Sequence, residues 1–115
     1  MHLVTVRGRK SGKEYSTPFF LLELPDGRYW VSVLGETNTI KNARAAGHVT
    51  VSRGATRDEV RLVEVPIESG LPFLHEYLTS NKSSMVRTYF ATPESTDEEL
   101  RVLAQEHPVF KLEPA

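Results

Sequence analysis

Three strand-like segments open this chain, and the links between them are too short to carry it back across a sheet. Residues 2–6 alternate, with Leu3 and Thr5 on one face; residues 15–24 are rich in aromatic and aliphatic side chains; residues 28–34 resume the strand pattern. Parallel neighbours need a crossover of a dozen or more residues. Here one link is a glycine-punctuated basic turn and the other is Pro25-Asp26-Gly27, in which proline presets φ and glycine accepts a left-handed conformation. The sheet is therefore antiparallel. The spacing predicts a hairpin of 15–24 with 28–34, and a meander when the first strand is included.

The remainder adds helices without lengthening those links. Asn38 is placed to cap a short helix over 38–46, ended by Gly47. Strands follow over 48–53 and 59–65 around the turn at 54–58, with Val60 and Leu62 alternating with Glu59 and Arg61. Leu71, Leu74, Tyr77 and Leu78 give a helix over 68–79 one buried face. Thr96 or Ser95 caps a last helix over 97–106 with an acidic first turn, and 109–112 closes the sheet. About six antiparallel strands and three helices make a mainly β, α+β fold, a small closed or half-closed barrel.

With 115 residues the chain forms one domain, spanning 1–115, with room for a single core. The formal net charge of −1 leaves no extended basic face for nucleic acid. Cysteine is absent, which removes disulfides, thiolate ligands and thiol catalysis together. His2, His48, His75 and His107 lack metal-type spacing, so no metal is expected. No apolar run approaches the roughly 18–20 residues of a membrane span. The chain opens directly into a strand pattern without a leader layout, so a cytoplasmic location and a further upstream segment are both expected.

Against this balanced background the turn at 7–13 is exceptional. Arg7, Arg9, Lys10 and Lys13 place four cations in seven residues, and Gly8 and Gly12 flank Arg9-Lys10-Ser11. Inward backbone amides beside full positive charges suit a phosphate or polycarboxylate. The bland alternative is a solvated hairpin tip. Phe19, Phe20 and Trp30 read as core by pattern, and Phe19 and Phe20 point to opposite faces of a strand, so at most one belongs in a site. His75 reads as a surface residue and His107 as structural.

Several motifs also stand in a familiar order. Gly8-Arg9-Lys10-Ser11-Gly12, Ser16-Thr17-Pro18, Asn42-Ala43-Arg44-Ala45-Ala46-Gly47 and His107-Pro108-Val109-Phe110-Lys111-Leu112-Glu113-Pro114 together resemble the deazaflavin-dependent nitroreductase family. That family is a branch of the flavin-binding split β-barrel superfamily, with a flavin-reductase or PNPOx-like fold. Val86-Arg87-Thr88-Tyr89-Phe90 is similar to it too. The chain departs from the family at Thr39-Ile40, where an aromatic pair is usual, and at Tyr15, where arginine is frequent.

The resemblance implies a bound deazaflavin (coenzyme F420) and hydride transfer to a small electron-poor acceptor: a quinone, nitro compound or activated alkene. By position it implies that Arg9, Lys10, Ser11 and Gly12 hold the coenzyme's phosphate and acidic tail. Thr17, Pro18 and Phe19 would run beside the ring, and Ser32, Val33, Leu34 and Gly35 would approach it from the opposite strand end. Tyr89, Ser32 or water would deliver a proton, with Tyr89 the favoured catalytic group. The protein need supply only binding and orientation, so a missing nucleophile or metal is compatible with this chemistry. Flavin mononucleotide (FMN) in the same barrel, or a non-catalytic carrier, are the competing readings. A homodimer is compatible with all of them.

Overall fold

The computed structural model of the chain describes residues 2–80, 86 and 90–114. Strand β1 (His2–Arg7) folds back through the basic turn onto β2 (Glu14–Phe19). Strands β3 (Leu22–Leu24) and β4 (Gly27–Val31) pair across Pro25-Asp26. Helix α1 (Asn38–Ala46) follows, then the hairpin β5 (His48–Arg53) and β6 (Thr56–Glu64). Helices α2 (Ile67–Ser80) and α3 (Asp97–Ala104) precede the last strand, β7 (Val109–Pro114). Among the described residues no helix is long and apolar enough to cross a membrane.

All ladders are antiparallel, and they build one seven-stranded sheet in the order β2-β1-β5-β6-β7-β4-β3. The two edge strands, β2 and β3, are consecutive in the chain and separated by Phe20 and Leu21 alone. A link of that length reaches about 7 Å. The sheet therefore curls until its edges lie side by side, which gives an α+β barrel split along one seam.

That seam corrects the expected strand over 15–24, and it makes seven strands where about six were expected. The first segments also fail to form a meander, because β2 pairs with β1 while β3 pairs with β4. The alternation of side chains continues across the break while the hydrogen-bond partner changes. Phe19 faces inward against Trp30, with ring centroids 5.0 Å apart, and Phe20 packs edge-on against Tyr77 of α2 at 5.6 Å. The strand expected over 28–34 ends at Val31, and residues 32–35 turn away. In the β5–β6 hairpin Arg53 pairs with Thr56, so the loop is Gly54-Ala55, shorter than the expected turn at 54–58. Gly54 at φ +59° suits the first position of a two-residue loop.

Two cores lie on the two faces of the sheet. Inside the barrel Val4, Val6, Trp30, Val49, Val51 and Phe110 pack together, and α1 closes one end with Ile40 and Ala43. Outside, α2 and α3 cover Tyr29, Val31 and Val109 with Leu71, Leu74, Leu78 and Leu100. Strand β4 serves both cores in alternation: Tyr29 and Val31 face the helices, and Trp30 faces the barrel.

The helix caps are built locally. Thr37, one residue before the expected Asn38, caps α1 by accepting from Ile40 N, and Gly47 ends it at φ +78°. Thr96 forms a capping box with Glu99: its side chain accepts from Glu99 N at 3.2 Å, and Glu99 Oε1 accepts from Thr96 N at 3.0 Å. The bonds to Thr96 hold the Glu99 carboxyl below its ordinary value. Its share of the cap is thus fully present above about pH 4.3 and is lost as acid protonates it. Thr96→Ala is expected to lower stability by about 1 kcal/mol, read from urea denaturation.

Candidate functional site

The basic turn is held in one shape by its own backbone. Gly8 N donates to Lys13 O at 2.7 Å, Gly12 N donates to Gly8 O at 3.0 Å, and Lys13 N donates to Ser11 Oγ at 3.3 Å. Gly8 is closely packed, since a Cβ there would lie 2.9 Å from Ser11 Oγ and 3.2 Å from the Tyr15 ring, and one of those side chains would have to shift. Arg9 reaches helix α1: its backbone N and its Nη1 both donate to Asn42 Oδ1, at 3.2 and 2.6 Å. Neither Arg9 nor Lys10 has a carboxylate partner among the described residues.

The turn and α1 face each other across an open cavity of about 520 Å³, lined by Arg9, Lys10, Ser11, Tyr15, Asn38 and Thr39 among others. Positive potential accumulates here. Helix α1 carries no acidic residue in its first turn, whereas α3 carries Asp97, Glu98 and Glu99. The positive end of the α1 dipole is thus uncompensated by its own side chains. Glu36, just before α1, is drawn to Arg44 by two bonds of 2.8 and 2.9 Å and lines a separate small cleft. Arg44 holds the Glu36 carboxyl below its ordinary value, so it stays charged and paired there.

A second cavity of about 410 Å³ adjoins the first and shares Thr17 and Thr39 with it. Its walls are apolar: Pro18, Phe19, Phe20, Val31, Val33, Leu34, Ile40 and Tyr77. One wall is the turn at 32–35, which is pinned from behind. Ser32 Oγ donates to Gly35 O at 2.5 Å, Ser32 N donates to Pro108 O at 3.0 Å, and His107 Nδ1 donates to Ser32 O at 2.9 Å. The amides of Val33 and Leu34, two residues that line this cavity, have no partner among the described residues. The two cavities make one cleft, cationic at one end and aromatic at the other.

The same curled sheet occurs in solved structures. The chain is similar to Atu2129 of Agrobacterium tumefaciens, a protein of unknown function, with TM-score 0.67 and 14% identity, covering 98% of this chain and 47% of that one. It is similar to HutZ, the heme storage protein of Vibrio cholerae, with TM-score 0.64 and 11% identity, covering 99% and 80%. It is also similar to an FAD-binding protein of Mesorhizobium loti, with TM-score 0.60 and 18% identity, covering 99% and 80%. The chain spans about half the length of the Agrobacterium protein. Identities this low carry the fold and nothing more. No protein-family model matches the chain, and no curated protein matches it.

Of the residues singled out in the sequence, Arg9, Lys10 and Ser11 line the basic end, and Thr17 joins the two ends. Pro18, Phe19, Ser32, Val33 and Leu34 line the apolar end. Gly12 and Gly35 line neither end and shape turns instead, at φ +73° and +82°. Tyr89 lies outside the described residues. The Ser32 hydroxyl donates to Gly35 O. Phe19 and Phe20 both line the cleft, against the expectation that at most one would, because the chain leaves β2 between them. Asn38, Thr39, Asn42 and Phe20 were missed as site residues. The signals for the α1 group were a run of short polar side chains at the start of a helix and, for Asn42, its place at the head of a motif that carries the resemblance.

Gly35 is the weak point of the apolar wall. A Cβ there would lie 3.1 Å from Glu106 O, on a backbone already at positive φ. Gly35→Ala is expected to cost about 2 kcal/mol by thermal denaturation and to loosen the turn at 32–35.

Proposed function

We propose that the cleft binds a flavin-type coenzyme, with its ring system among Phe19, Phe20, Val33 and Leu34 and its anionic tail at Arg9, Lys10 and Ser11. The observation that carries this reading is the sharing of Thr17 and Thr39 by a cationic and an apolar cavity, which suits one ligand with an anionic end and a planar apolar end. The residues fit such a group: two cations without carboxylate partners, a helix start without acids, and unpartnered amides at Val33 and Leu34. With the family resemblance, the coenzyme is a deazaflavin and the protein a reductase. The chemistry that a bound reduced deazaflavin supplies is hydride donation to an electron-poor acceptor such as a quinone, nitro compound or activated alkene. The chain binds, orients and keeps water from the apolar end.

FMN is the second reading, supported by the likeness to an FAD-binding protein and by a basic end that suits a single phosphate equally well. Trp30, the sole tryptophan, gives the test, since it packs on Phe19 at the cleft wall. Titration with the deazaflavin or FMN is expected to quench its emission to saturation at micromolar ligand. The tighter ligand decides between the two coenzymes, and addition of a quinone to the reduced complex is expected to reoxidise it. If neither ligand quenches Trp30, the reading fails.

A further inference from the structure

We propose that Asn42 is a positioning residue for the cationic end of the cleft, a neutral side chain that aims Arg9 without cancelling its charge and ties the basic turn to α1. The inference rests on the coenzyme reading above. A single oxygen, Asn42 Oδ1, accepts from both ends of Arg9, from the backbone N at 3.2 Å and from Nη1 at 2.6 Å. Those two bonds remove much of the rotamer freedom of a long side chain before any ligand arrives, and most guanidinium donors remain unengaged. Pre-ordering of this kind raises affinity by lowering the entropy lost on binding.

The choice of an amide stands out against the rest of the molecule. Among the described residues, Arg28, Arg44, Arg61 and Arg101 each direct their side chain to a carboxylate. Arg9 alone among the hydrogen-bonded arginines goes to a neutral acceptor. An aspartate at position 42 would have nearly the same shape, but would form a charge-assisted pair and cancel the cation. Asn42 also stands one helical turn beyond Asn38 and Thr39, and Thr39 touches both ends of the cleft. The basic turn and the apolar wall are thereby fastened to one rigid element.

The test uses Asn42→Asp and Asn42→Ala, with FMN and riboflavin, which lacks the phosphate, as probes. Asn42→Asp is expected to weaken FMN about tenfold while riboflavin changes by less than about twofold. Trypsin cleavage after Arg9 and Lys10, followed by mass spectrometry without ligand, reads the tether by itself. Cleavage is expected to accelerate several-fold in Asn42→Ala and to stay at the parental rate in Asn42→Asp, where the ion pair holds the turn. An unchanged FMN-to-riboflavin ratio in Asn42→Asp, or unchanged cleavage in Asn42→Ala, overturns the proposal. A parent protein that binds neither the flavins nor the deazaflavin sinks the coenzyme reading instead, and the cleavage rates still decide the tether.

Discussion

Trp30→Ala is expected to lower stability by about 3–5 kcal/mol. Trp30 is fully buried on β4, between Phe19 at 5.0 Å and Phe110 at 5.9 Å. It sits where the seam of the barrel meets its interior, so its removal leaves a void that β2 and β7 can fill only by bending. For a domain of this size the loss corresponds to a fall of about 15 °C or more in Tm. Trp30→Phe separates the two parts of that cost. Trp30 Nε1 is buried with no hydrogen-bond partner among the described residues, so removing it relieves an unsatisfied donor while keeping an aromatic ring. Its expected loss is about 1–2 kcal/mol. Guanidinium denaturation of both variants checks this; a Trp30→Ala loss below about 1 kcal/mol would mean that the barrel interior does not depend on this residue.

What the sequence showed of the fold follows from where its signals are local. The short turns dictated antiparallel pairing, and glycine at the end of α1 marked its stop. The split of 15–24 was hard to see because Phe19 to Leu22 is an unbroken apolar run, and its one mark was Pro18, a residue that suits an edge strand such as β2. The start of β6 was hidden for the opposite reason. Thr56, Arg57 and Asp58 look like turn residues, yet they pair with Arg53, Ser52 and Val51 at an exposed end of the sheet. Thr37 and Asn38 are equally good caps by type, and only the bond to Ile40 N selects Thr37. At the candidate site, charge density marked Arg9 and Lys10. Asn42, 33 residues away from Arg9, had no such mark, because its place depends on how α1 packs into the barrel end.

Lys10→Glu is expected to weaken FMN about a hundredfold and riboflavin by less than about threefold. Lys10 lines the cationic cavity and has no carboxylate partner among the described residues, so its charge is free to act on a ligand. Reversal replaces an attraction with a repulsion of similar size. At about 4 Å and an effective dielectric near 20, each unit interaction is worth up to about 4 kcal/mol before solvent screening of this exposed end reduces it. A net change of about 2.7 kcal/mol is the hundredfold. Because the screening length falls from about 30 Å at 0.01 M salt to about 8 Å at 0.15 M, the gap between parent and variant is expected to narrow as salt rises. Tm should move by less than about 3 °C, since an exposed lysine without a partner contributes little to folding. Equal losses for FMN and riboflavin would place the phosphate elsewhere. Lys10→Gln completes the series, for it removes one charge without adding another and should fall near tenfold. If glutamine is as damaging as glutamate, charge is not what matters, and Lys10 acts instead through a directed hydrogen bond from Nζ.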